Sequence, residues 1–324
     1  MTISTIIPPK SLRVATLVAT FLTFAIMVLG AAVRVYDAGL SCPDWPMCYG
    51  QWIPFPAPEG GYMAEGVSYT TGQVFLEWFH RLLASLLGFV MLYVLYLAWG
   101  MRHSYRHTWR ILLVSMVVLL FQIKLGGLTV LVDNINWSVS LHLGNALIFY
   151  GLLIAAFMTM TRQSETKPLR VSPVYKILWR STLVIVFVTV LIGAMVSTSH
   201  AGGVCGGLLD CHGHWLPADN YEALHMAHRF FALLVLLSAI ALFVGRKLED
   251  AALQKSARIT FIFTLIQVAL GVLTLYSFQH PLGYHALSVM HLGWATVLFT
   301  VVLAANIKMR LGVKDPNIKG VPLH

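Results

Sequence analysis

Glu77-Trp78-Phe79-His80-Arg81 and His225-Met226-Ala227-His228-Arg229 are two copies of one stretch, 148 positions apart. A second histidine follows in each copy, His142 and then His291, at a shift of 149. Other positions keep the register. Gln122, Leu125, Gly126, Leu128 and Thr129 return 145 positions later as Gln267, Leu270, Gly271, Leu273 and Thr274. Gly30-Ala31-x-Val33 returns as Gly193-Ala194-x-Val196, and Cys42/Cys48 as Cys205/Cys211, both at a shift of 163. Self-similarity over half the chain marks a duplicated unit, and a unit that keeps two histidines per copy inside apolar segments points to two similar cofactor sites.

Composition fixes the solvent. Of 324 residues, 58% are hydrophobic and 11% charged, with a mean hydropathy of +0.75, far outside the range of soluble domains. Eight apolar stretches, at 13–36, 77–100, 109–132, 137–161, 177–199, 222–245, 258–278 and 284–307, each have about the 20 residues a helix needs to cross hydrocarbon. The first lacks a small-residue cleavage pattern and reads as a retained span, not a signal peptide. The expected fold is an all-α integral membrane protein of eight transmembrane helices, arranged as two tandemly repeated four-helix bundles. Residues 1–161 form the first repeat, 162–176 a cytoplasmic linker and 177–324 the second repeat.

The net charge of +9 concerns topology and implies no nucleic-acid partner. Eighteen of the 22 basic residues lie in the N-terminus, 101–110, 162–180, 246–258 and the tail, with only Glu165, Glu249, Asp250 and Asp315 as acids. The positive-inside bias therefore puts both termini in the cytoplasm, as an even span count requires. All four repeated histidines then enter their spans near the outer ends, roughly 5–10 Å below the boundary at 1.5 Å rise per residue. Paired imidazoles among apolar helix walls suit a haem iron held on both faces. Zinc would want three or four ligands at short spacing, and no such cluster recurs in both halves. Hydrogen bonding between helices is the bland alternative for any one histidine, but four at duplicated places favour ligation.

The four cysteines form one pair per copy in outer loops, Cys42/Cys48 and Cys205/Cys211, on the side where disulfides persist in bacteria. Each pair reads as a staple on its loop, with reducible, regulatory chemistry as the other option. Glu77 shares a helix face with His80, whereas the equivalent position of the second copy is His225. Glu77 is then either a carboxylate beside one cofactor or a helix N-terminal charge favoured by the dipole. Arg81 and Arg229 follow the histidines and could pair with haem propionates, or only mark the interface. Lys124, deep in the third span, faces Ala269 in the other copy and has no evident role. His103, His107 and His324 read as solvated, and His200, His212, His214, His280 and His285 as loop or helix-end residues.

At these residues the chain resembles the haem A synthase family. Gly39-Leu40-Ser41-Cys42-Pro43-Asp44-Trp45-Pro46-x-Cys48, then Glu77-x-x-His80-Arg81, carry the likeness, with Cys205/Cys211, His228-Arg229 and His291 supporting it over nearly the whole chain. The cysteine pairs match the bacterial form and set it apart from mitochondrial relatives. The resemblance implies an oxidoreductase that takes the C8 methyl of haem O through an alcohol and a hydrated aldehyde to the formyl group of haem A, for terminal oxidases. It implies a haem b cofactor on His228 and His291, substrate haem on His80 and His142, and Glu77 as the catalytic acidic residue. Expected partners are haem O, haem O synthase, an electron donor and membrane lipid. Gly-rich stretches such as Leu125-Gly126-Gly127 permit a homo-oligomer. The expected place is the bacterial inner membrane. A di-haem electron-transfer subunit or a haem-handling protein would use the same histidines differently.

Overall fold

A computed structural model describes residues 8–161, 166–167, 169–207 and 210–314. Among them are eight long helices: α1 (Lys10–Val35), α2 (Thr71–Trp99), α3 (Arg106–Leu131), α4 (Asn136–Thr161), α5 (Pro173–Thr198), α6 (Asn220–Gly245), α7 (Ala251–Tyr276) and α8 (Pro281–Leu311). Each is long and apolar enough to cross a membrane. The expected eight-helix architecture holds, but several helices begin well before their apolar windows because polar residues build the first turn. Thr70 and Gln73 form a capping box on α2, Ser172 caps α5 with Pro173 behind it, and Asp219 accepts from Tyr221 and Glu222 at the start of α6. So α5 starts inside the segment expected to be linker.

Helices pair in sequence, α1 with α2, α3 with α4, α5 with α6 and α7 with α8, and each half closes by α1 against α4 or α5 against α8. The halves meet through α1 on α8, its mirror α4 on α5, and α4 on α8. Mirror-related glycines face that contact: a Cβ at Gly144 would lie 2.9 Å from Leu191 Cδ2, tighter than side chains normally allow, whereas one at Gly293 would meet Val28 Cγ2 at an ordinary 3.5 Å. Leu191 and Val28 are themselves 163 positions apart, so the interface repeats the duplication. Its core, around Leu147, Trp179, Leu298, Phe299 and Val302, is the largest in the molecule. Arg34 ties the C-terminal ends of α1 and α5 by donating to the Ser197 and Thr198 carbonyls at 2.9 and 3.1 Å.

The α1–α2 loop carries an antiparallel pair, β1 (Tyr62–Ala64) and β2 (Val67–Tyr69). At the opposite end β3 (Thr166–Lys167) pairs with β4 (Val313–Lys314), joining the inter-repeat connection to the end of α8. The first seven residues, the tail from 315 with His324, and therefore both termini lie outside the described residues.

Candidate functional site

The four histidines lie at one level of the bundle, at the end bearing the cysteine loops. His80 is nine residues past Thr71, His142 six past Asn136, His228 eight past Asn220 and His291 ten past Pro281. That places them roughly 9–15 Å below their helix starts. All are on even-numbered helices, and each imidazole rests on a glycine of the helix before it. A Cβ added at Gly30, Gly126, Gly193 or Gly271 would lie 3.1, 3.2, 2.9 and 3.0 Å from Cε1 of His80, His142, His228 and His291 respectively. Side chains larger than hydrogen there would push every ring out of place. The repeated glycines are thus part of the histidine sites.

A second duplicated element holds the second histidine of each half, His142 and His291. Gln122 Nε2 approaches His142 Nε2 at 3.2 Å and donates to its carbonyl at 3.1 Å; Gln267 Nε2 approaches both ring nitrogens of His291 at 3.2 Å and donates to its carbonyl at 3.2 Å. The copies then diverge. Asn145 donates to both Gln122 Oε1 at 2.6 Å and the Val118 carbonyl, whereas Trp294 reaches only the mirror-related Phe263 carbonyl, at 3.0 Å. Gln267 Oε1 is left buried without a partner.

These residues fit a haem. His80, His142 and His228 each bury Nδ1 with no protein partner, an arrangement that costs free energy unless the ring finds another use, such as ligation. The His228 and His291 rings have centroids 6.3 Å apart and an interplanar angle of 75°. The two rings thus stand close enough together for one haem iron to be held by both.

Glu77 is buried in α2 and accepts from Arg81 Nε at 2.7 Å. Arg81 spends its other donors on the first cysteine loop, at the carbonyls of Asp44, of Met47 at 2.7 Å and of Cys42 at 3.0 Å. Arg229 repeats the loop contacts, with the Asp210 and Cys205 carbonyls at 3.0 and 2.9 Å, but His225 and not a carboxylate stands four residues before it on α6. Both arginines therefore clamp the cysteine loops onto the helices. His225, equivalent to Glu77, is buried with Nδ1 unpartnered.

The expected disulfides are present, Cys42–Cys48 and Cys205–Cys211, with Cα atoms 4.7 and 4.6 Å apart and no exposed sulfur surface to speak of. Each is followed by a two-residue turn with both φ values positive: Tyr49-Gly50 between Cys48 and Gln51, and His212-Gly213 between Cys211 and His214. The duplication runs further than the cysteines, through Trp52-Ile53-Pro54 and Trp215-Leu216-Pro217, again at a shift of 163. Reading the cysteine register four to six residues onward would have found it. Among the described residues one metal-like group, Cys211, His212 and Glu222, comes together, but its sulfur is in the disulfide.

Other histidines among the described residues make contacts elsewhere. His200 meets Arg34 at 3.1 Å, His212 meets Glu222 at 3.1 Å, and His285 packs against Tyr36 with centroids 4.5 Å apart and the rings tilted by 60°. Lys124 is exposed on α3. At 100° per residue it points away from Gln122 and Gly126, so it does not belong to the histidine site.

Comparison with known proteins agrees with this geometry. A family model for the COX15-CtaA cytochrome oxidase assembly proteins matches residues 13–303. A haem A synthase of Bacillus pumilus is 27% identical over 303 residues, covering 90% of this chain and 93% of its own. Haem A synthases of Shouchella clausii and Shewanella oneidensis are 25% and 27% identical, covering 90% and 88% of this chain and 95% and 92% of theirs. With all four histidines, both glycine–glutamine elements and both cysteine loops inside the matched span, the chain belongs to the COX15-CtaA family of cytochrome oxidase assembly proteins.

Proposed function

We propose that this multi-pass membrane protein acts as a haem A synthase, an oxidoreductase that converts haem O to haem A for terminal oxidases. The observation that carries the reading is a duplicated histidine site in which the buried carboxylate of the first half, Glu77, is replaced by buried His225 in the second. Two equal electron-transfer sites would need no such difference. An oxidation at a C–H bond needs a proton acceptor on the substrate side alone.

On this reading the first half, closed by His80 and His142, receives haem O, and the second half, closed by His228 and His291, holds haem b. Bound there, haem b would supply one-electron redox chemistry to the neighbouring half. Gln122 and Gln267 orient the second histidine of each pair, as outer-shell partners of ligands commonly do. Gly30, Gly126, Gly193 and Gly271 leave the rings room to stand against the helix before them. Glu77 would hold or accept a proton beside the carbon that is oxidised. Arg81 holds the Glu77 carboxylate in one place and anchors it to the Cys42–Cys48 loop. The cysteine loops cap the histidine level from the outer face of a bacterial inner membrane, with both termini in the cytoplasm.

Expression together with a haem O synthase, followed by chromatographic and mass analysis of extracted pigments, tests this. Haem b with haem O and haem A is expected. Haem b alone, with haem O left unconverted in the membrane, would favour an electron-transfer subunit and overturn the proposal.

A further inference from the structure

Beyond the histidine sites, the duplication preserves a feature that the proposed chemistry does not use. Trp52-Ile53-Pro54 and Trp215-Leu216-Pro217 follow the two cysteine turns, and their apolar side chains stand outside the fold. Trp52 and Ile53 are 72% and 62% exposed, Trp215 and Leu216 71% and 82%. Large apolar residues kept outward in both copies, beside spans that cross a membrane, form a surface that needs an occupant.

Their level on the helices says which. Trp78 Nε1 donates to the Trp52 carbonyl at 2.7 Å, and Trp78 is seven residues past Thr71. The Trp52 backbone therefore hangs beside α2 roughly 10 Å below the helix start, at about the level of the histidines. Phe55 packs on Trp78 and Phe75 with centroids 5.5 and 6.2 Å apart, which joins this finger to the exposed face of α2 at Phe75, Leu82 and Leu86. In the second half, buried Glu222 fixes the root of the finger by accepting from Ala218 N at 2.8 Å and meeting His212 Nδ1. No charged residue occurs in 51–58 or in 215–218.

We propose that these two fingers insert into the membrane leaflet at the cysteine-loop end, with the indoles at the boundary between headgroups and acyl chains. Tryptophan suits that boundary, since its apolar ring and N–H find partners on either side. The following prolines limit the backbone at a place where no ladder partner accepts hydrogen bonds. Each finger is clamped to its helix through the loop that Arg81 or Arg229 holds, so the leaflet and the cap over the histidine level are mechanically joined.

The wild-type protein in phospholipid nanodiscs tests this without any substitution. Phospholipids carrying a photoreactive diazirine near the glycerol should leave adducts in 51–58 and 212–218. Adducts confined to the α2 and α6 spans, with neither loop segment labelled, would overturn the proposal. A second measurement uses Trp52→Phe and Trp215→Phe in nanodiscs of lipids brominated near the headgroup or near the chain end. The emission lost with each substitution should be mostly quenched by the shallow bromines and little by the deep ones. A difference emission that is unquenched by either lipid and has a water-exposed maximum would show that the fingers face solvent or a protein partner, and would sink the idea.

Discussion

Gly193→Ala is the smallest perturbation that reaches a proposed ligand. The added methyl would lie 2.9 Å from His228 Cε1, 3.3 Å from Nδ1 and 3.6 Å from Nε2, against the ring edge that carries both nitrogens. Ordinary carbon–carbon contact is about 3.5–4.0 Å, so the ring must retreat by over half an ångström or α5 and α6 must part. Overpacking of this kind costs about 1–3 kcal/mol, and a ring turned about 30° off its rotamer about 0.5–1.5 kcal/mol. Alanine regains up to about 1 kcal/mol of helix propensity, so global stability should change little. Ligation has no such compensation: a misplacement of about 1.4–3 kcal/mol weakens cofactor affinity about 10- to 100-fold. Gly193→Ala and Gly271→Ala should therefore purify as folded protein with most resident haem b lost. Gly30→Ala and Gly126→Ala should keep haem b and let haem O accumulate in the membrane. Absorption spectra per mole of monodisperse protein, with extracted-pigment analysis, read both outcomes. A Gly193→Ala protein with full haem b and an unaltered spectrum would refute the reasoning.

Glu77→Gln keeps an acceptor for Arg81 Nε but cannot take up a proton. It should retain haem b while haem A formation falls about 10²–10⁴-fold, and a normal rate would make Glu77 structural. Cys205→Ser with Cys211→Ser opens a ring of sequence separation 6 and should lower stability by about 2 kcal/mol on the loop-entropy account, read by thermal unfolding in detergent. No change in the midpoint would mean that Arg229 alone holds the loop. Reporter fusions at Gly60 and Gly213 should score as external, since both stand on the cysteine-loop side. Cytoplasmic scores would reverse the orientation.

Much of this architecture was legible in the chain because the membrane demands long apolar runs, and all eight spans were found at their observed places. Helix starts were less legible: Thr70, Ser172 and Asp219 act through caps that a hydropathy window does not see. The histidines could be found because duplication singles out four among 13. The glycines were visible as repeats, but their purpose was not, since it depends on which helix lies opposite. Nor were the carbonyl contacts of Arg81 and Arg229 legible beside the propionate and interface readings. They depend on how Cys42, Met47, Cys205 and Asp210 are folded back, which no local pattern encodes. Lys124 remains without a structural explanation.

The division of labour between the halves is the central claim, and His228→Ala set against His80→Ala tests it most directly. Each variant is purified from cells that make haem b and haem O, and its low-spin absorption and pigment content are measured. The account predicts that His228→Ala loses the resident bis-imidazole haem b spectrum, whereas His80→Ala keeps it and makes no haem A. Loss of haem b from His80→Ala, with retention in His228→Ala, would contradict it.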